Sequence, residues 1–100
     1  VYSDHPETVW NACRLANFSL NKGDHVKLFL MAKGVEAASL STNQYNIKEL
    51  LEKFLKNNGT IYACGTCLKI RSQESTELCP ISSMSDLYDI INESDKIISF

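Results

Sequence analysis

Apolar and polar residues fall along this chain in blocks that switch between a helical and an extended period. After Asp4, the residues Val9, Ala12, Cys13, Ala16 and Leu20 fall on one helical stripe, with Trp10 and Phe18 off it. Asp4 is the expected N-cap, with Pro6 in the first turn and Glu7 three residues on. Lys22-Gly23-Asp24 ends this helix, Gly23 being able to take the left-handed cap. Residues 26–31 are then apolar at nearly every position, the pattern of a strand buried on both faces in a helix-covered parallel sheet. Lys33-Gly34 predicts a turn, residues 35–40 a short helix and residues 41–46 a polar, mobile loop. The clearest amphipathic helix follows, with Ile47, Leu50, Leu51, Phe54 and Leu55 at i, i+3, i+4, i+7 and i+8, stopped by Asn57-Asn58-Gly59.

Residues 60–64 predict a short buried strand, followed by a brief helix and a polar loop at 72–76. Glu77-Leu78-Cys79 reads as a short strand closed by Pro80. Ser83 with Asp86 suggests another cap, and Met84, Leu87, Tyr88 and Ile91 form the stripe of the helix behind it. Residues 96–100 read as a final strand, and Val1-Tyr2-Ser3 as the tail of a first one, with residues expected to be missing before Val1. Alternation of this kind implies an α/β fold, a three-layer α/β/α sandwich around a mainly parallel sheet of about five strands, the first of them cut short.

Composition narrows the function classes. One hundred residues make one domain, and ten basic against twelve acidic residues leave a formal charge of -2. That balance, with its basic residues scattered, gives no pull toward nucleic acid or an anionic membrane. No apolar run reaches membrane-spanning length and no secretory leader is visible, so the expected compartment is the cytoplasm. Four cysteines in that compartment point to free, catalytic or metal-bound sulfur rather than structural disulfides.

The chemistry concentrates in Ala63-Cys64-Gly65-Thr66-Cys67-Leu68-Lys69-Ile70-Arg71. A strand ending at Cys64, a Gly-Thr turn and a helix opening at Cys67 put sulfur at the carboxyl end of a strand, the edge where open α/β sheets bind ligands. A helix N-terminus there favours thiolate over thiol. Two cysteines so spaced can close a short disulfide, share a metal, leave one activated thiolate, or simply pack as small apolar residues. Zinc lacks a second ligand pair, so no metal is expected. A thioredoxin-like protein would carry a proline facing the pair from a later strand, and Pro80 directly after Cys79 is a poor match. Cys79, ending a short strand, is a candidate to relay sulfur or a packed residue before the turn proline. Cys13 on the first helical stripe is expected in the core. His5, after the first strand, could face the same edge and lower a thiolate's pKa, or could be a surface or capping residue. Arg71 and Lys69 could draw an anionic carrier or stabilise a thiolate, or be solvated charges. No glycine-rich phosphate loop occurs, so no nucleotide cofactor is implied.

Taken together, Asp4-His5-Pro6-Glu7-Thr8, the strand Val26-Lys27-Leu28-Phe29-Leu30-Met31 with Gly34-Val35-Glu36, the cysteine block, and Ser94-Asp95-Lys96 resemble the DsrE/DsrF-like family over nearly the whole chain. The resemblance implies a single DsrE-like α/β domain over residues 1–100 that assembles into homo-oligomers, often trimers or hexamers. It also implies a sulfur-relay role, in which a cysteine matching Cys64 carries sulfane sulfur as a persulfide between a donor and an acceptor protein, with no cofactor. Cys67 places the chain in a CGTC-bearing branch of mostly uncharacterised members, where the second cysteine would tune Cys64 or release sulfur by closing a disulfide. Two other readings stand beside this one: a non-catalytic small-ligand or protein-binding module whose cysteines only pack, and a dithiol redox protein.

Overall fold

The structure, a computed structural model, describes residues 1–71 and 81–100. Helix α1 (Pro6–Asn21) leads into strand β1 (Lys27–Leu30), a 3-10 helix (Ala32–Ser39) and helix α2 (Ile47–Lys56). Strand β2 (Thr60–Cys64), helix α3 (Gly65–Ile70), strand β3 (Ile81–Ser82) and helix α4 (Met84–Glu93) follow. The sheet is parallel in the order β1-β2-β3, with Leu30 opposite Ala63 and Cys64 opposite Ser82. Parallel neighbours require crossovers, and the segment between β1 and β2 supplies one through the 3-10 helix and α2.

The sheet has three strands among the described residues rather than about five. At the amino end, Val1 makes a single parallel rung: its ammonium donates to the Phe29 carbonyl at 2.8 Å and its carbonyl accepts from the Met31 N–H at 3.0 Å. At the carboxyl end, residues 96–100 are not a strand, and the Phe100 carbonyl only accepts from the N–H groups of Tyr2 and Ser3. One rung at Val1 and one shared carbonyl at Phe100 are too little to build a ladder. The expected strand Glu77-Leu78-Cys79 lies outside the described residues, and the third strand of the sheet is Ile81–Ser82.

The layers are unequal. Leu28, Leu30, Ile61 and Ala63 alternate onto one face of the sheet and are buried in the same core as Val9, Cys13 and Ala16 of α1 and Ile47, Leu51 and Phe54 of α2. On the opposite face Phe29 and Tyr62 stack with ring centroids 6.2 Å apart and stay half-exposed. Helix α4 buries no residue, and its last residue Glu93 pairs with Lys27 at 2.9 Å. Its capping box forms as expected, Ser83 accepting from the Asp86 N–H and Asp86 from the Ser83 N–H. Trp10, off the α1 stripe, is half-buried beside Tyr45 with ring centroids 5.3 Å apart.

Local chemistry moves several boundaries. Pro6 occupies the first position of α1, so the residue before it, His5, becomes the N-cap in place of Asp4, with no side-chain cap bond. Asp4 lies 4.0 Å from Lys33 instead. The short helix expected from residue 35 begins at Ala32, taking in the predicted turn, and is 3-10 throughout. Both long helices on the buried face end in Schellman motifs. In α1, Gly23 takes the left-handed position with φ +95, as expected.

In α2 that position is filled by Asn58 (φ 70), while the Gly59 N–H closes the motif on the Phe54 carbonyl at 2.9 Å. Gly59 is needed for space: a Cβ there would stand 2.5 Å from ring carbons of Phe54, which is fully buried. Gly59→Ala is therefore expected to overpack the core and lower unfolding stability by about 1–3 kcal/mol in denaturant titration.

Candidate functional site

Parallel pairing brings the carboxyl ends of β1 and β2 together, and the segments leaving them meet there. Cys64 ends β2 and is also the N-cap of α3, and its Sγ accepts the Cys67 N–H at 3.4 Å. Cys67, one turn on, is half-buried, and its own Sγ accepts the Ala32 N–H at 3.2 Å. Ala32 opens the 3-10 helix just beyond β1 with φ 50, the left-handed region that a residue with a Cβ rarely takes. Arg71 caps α3, donates to the Cys67 carbonyl at 3.2 Å and lies 3.9 Å from the Glu36 carboxylate. Two cysteines, one amide from the neighbouring β1 exit and one guanidinium thus surround the same point.

The electrostatics assign different roles to the two sulfurs. Burial of Cys64 opposes its ionisation, but the Cys67 thiol and the N–H groups of Cys67 and Thr66 hydrogen-bond its sulfur, and the net effect holds its pKa below the ordinary thiol value. Cys67 moves the other way: donating its S–H to Cys64 raises its pKa, burial raises it further, and the Ala32 N–H and the Arg71 charge oppose both. Of the pair, Cys64 is therefore the sulfur that ionises more readily, with the Cys67 thiol as its hydrogen-bond donor. Direct hydrogen bonds account for this; α3 has only six residues, too few for a strong helix dipole.

Of the residues singled out from sequence, the structure brings together Cys64, Cys67 and Arg71. His5 stands at the start of α1, exposed, beside residues 42–45, with no hydrogen bond to either sulfur. Cys13 is buried in the core, as expected. Cys79 lies outside the described residues. No group of three His, Cys, Asp or Glu side chains that could hold a metal converges among the described residues, and none of their helices is long and apolar enough to cross a membrane. Sequence reasoning missed Ala32 and Glu36. Neither residue type advertises a role, since Ala32 acts through its backbone and Glu36 only by lying near Arg71.

The fold is shared with a solved protein, and the sequence with two uncharacterized ones. The crystal structure of the YchN protein from E. coli matches with a TM-score of 0.81 at 26% identity, over 94% of this chain and 87% of that one. An uncharacterized protein of Methanopyrus kandleri is 33% identical over all of this chain and 90% of its own length. Another, from Methanocaldococcus jannaschii, is 30% identical over 94% of this chain and 88% of its own. The model of the DsrE/DsrF-like family matches residues 2–100, and this chain belongs to that family.

Proposed function

We propose that the protein is a sulfur-relay carrier that holds sulfane sulfur on Cys64. The observation that carries this reading is the hydrogen-bonded Cys64 sulfur at the carboxyl edge of the sheet, whose neighbours favour its ionisation. As thiolate, Cys64 attacks the outer sulfur of a donor persulfide. The new bond joins Cys64 Sγ to that sulfur, the donor's S–S bond breaks, and the donor thiol leaves as thiolate. The terminal sulfur, now on Cys64, passes to an acceptor protein's thiolate by the same exchange in reverse. No cofactor enters either step. Family membership supports a role of this class.

Such a carrier works on protein partners in the cytoplasm, and a homo-oligomer, trimer or hexamer, fits the surface of this chain. Met84, Tyr88 and Ile91 on α4, with Ile70 and Ile81, are exposed apolar side chains that an interface between copies would cover.

The test is the intact mass of the reduced Cys67→Ala variant, which has no second cysteine at the site to close a disulfide and expel the loaded sulfur, before and after treatment with a small persulfide donor, followed by peptide mapping. The expected result is a gain of one sulfur atom on Cys64 that reductant reverses. No gain, under conditions that load a control persulfide carrier, would replace this reading with that of a binding module. A second reading, a dithiol redox protein, draws on the contact between the two thiols; it predicts a reversible Cys64–Cys67 disulfide in the absence of any sulfur donor.

A further inference from the structure

The Ala32 amide has no place in the relay just described. It lies on a different chain segment from the cysteines, takes a left-handed conformation (φ 50), and donates to Cys67 Sγ at 3.2 Å rather than to the reactive Cys64. Observed backbone outliers of this kind cluster where a site needs them. The first N–H groups of a helix have no partner within it, so the Ala32 amide is free to serve an acceptor. Sulfur is a weak acceptor as a thiol and a strong one as a thiolate. An amide held on Cys67 by a disfavoured backbone conformation is placed for a moment when Cys67 carries charge.

We propose that Ala32 is a positioning residue whose N–H holds Cys67 as a resolving thiolate, so that sulfur loaded on Cys64 leaves as hydrosulfide while the two cysteines close a disulfide. The inference rests on the carrier reading of Cys64. Cys67 gives its thiol proton to the terminal sulfur of the Cys64 persulfide and attacks Cys64 Sγ. The Cys67–Cys64 bond forms, the bond from Cys64 to the terminal sulfur breaks, and that sulfur departs with the electron pair and the proton as hydrosulfide. The sulfane sulfur is reduced by two electrons and the two cysteines are oxidised by two. A dithiol reductant then reopens the disulfide. The neighbours of Cys67 agree with this order of events. The influences that keep it protonated include its bond to the Cys64 sulfur and the charge there, whereas the Ala32 N–H and Arg71 favour its ionisation. Loading Cys64 caps its Sγ, which is then no longer a charged acceptor, while burial still opposes the ionisation of Cys67 and the Ala32 N–H and Arg71 still favour it.

The test uses the full chain made with the α-hydroxy acid analogue at Ala32, an ester in place of the amide that removes the N–H and keeps the methyl side chain. The same ester at Asn43, in the exposed 41–46 loop, controls for the chemistry. Two quantities are read. The first is hydrosulfide released, without reductant and without oxygen, from protein loaded with a small persulfide donor. The second is the pH midpoint of Cys67 alkylation by iodoacetamide in a Cys64→Ser background.

The wild type is expected to release one hydrosulfide per loaded chain and to show the Cys64–Cys67 disulfide by peptide mapping. Cys67→Ala should keep its sulfur. The Ala32 ester should release roughly tenfold more slowly, with its Cys67 midpoint raised by about one pH unit, the size expected for a lost hydrogen bond to a charged acceptor. Wild-type release from the ester, or from Cys67→Ala, would overturn the proposal, and so would an unshifted midpoint. A wild type that accepts no sulfur would defeat the carrier reading instead, and the midpoint would still decide whether Ala32 acts on Cys67.

Discussion

Cys64→Ser is expected to take up no sulfur from a persulfide donor, its intact mass remaining that of the untreated chain. The reason is chemical: a serine hydroxyl stays protonated near neutral pH and forms no persulfide, whatever its position. The fold should survive, because serine is close to cysteine in volume and its oxygen can accept the Cys67 N–H that Cys64 Sγ accepts at 3.4 Å. Equal thermal unfolding of the two proteins would confirm that the loss is one of chemistry. Sulfur still arriving at the wild-type level in Cys64→Ser would move the carrier role to another cysteine.

The companion variant, Cys67→Ala, separates tuning from transfer. It removes the S–H donor that stabilises the Cys64 thiolate and leaves the backbone N–H at position 67 in place. Losing a donor to the charged form raises a thiol pKa. The rate of loading against pH should therefore rise through a midpoint below that of an ordinary thiol in the wild type. In Cys67→Ala that midpoint should lie about one pH unit higher. A midpoint unchanged in the variant would mean that the thiol–thiolate hydrogen bond does not set the reactivity of Cys64.

Phe54→Ala is expected to cause the largest loss of stability, about 3–5 kcal/mol of the ~5–15 kcal/mol typical of a domain. Phe54 is fully buried: it lies in the core with Ile47, Leu51, Ile61 and Leu30, all at most 1% exposed. Truncation removes the ring's transfer free energy and leaves a cavity that the rigid α2 and sheet cannot close. The midpoint of thermal unfolding should fall by more than about 12 °C. Gly59 supplies an internal check. Its α-carbon lies under the Phe54 ring, so Gly59→Ala, costly in the wild type, should cost little in the Phe54→Ala background. Additive losses would show that the tight approach of Gly59 to the ring has no energetic weight.

Much of this molecule was legible in the order of its residues, and the reasons are local. The five apolar positions of α2 repeat at the helical period, and Asn46 caps the helix by accepting the Glu49 N–H at 3.3 Å, so that helix required no tertiary information. The same holds for Ser83 and Asp86 at the start of α4, and for Gly23 at the end of α1. Cys64 and Cys67 were visible because a buried strand running into a helix within eight residues leaves little choice of geometry, although the expected Gly-Thr turn is the first turn of α3, which starts at Gly65 rather than at Cys67. What failed was also local in cause. The N-cap of α1 moved by one residue because Pro6 takes the first helical position, and the terminal segments are not strands: Val1 makes one rung on β1 and Phe100 only one shared carbonyl bond.

The sequence by itself determined the alternating α/β order, the apolar stripes of α1 and α2, the parallel sheet and the position of two sulfurs at its carboxyl edge. These follow from periodicity and turn chemistry, which act over a few residues. Only the tertiary structure decided which sulfur ionises more readily and what surrounds it. The Ala32 amide reaches Cys67 across 35 positions of sequence, and Glu36 lies 3.9 Å from the Arg71 guanidinium across a similar span. It also left the apolar stripe of α4 exposed, a stripe that from sequence alone reads the same as one facing the core. A hydrogen bond of this length has no periodicity to announce it, and a backbone donor has no residue type. Both exist only because pairing β1 with β2 carries the segments beyond them to one place.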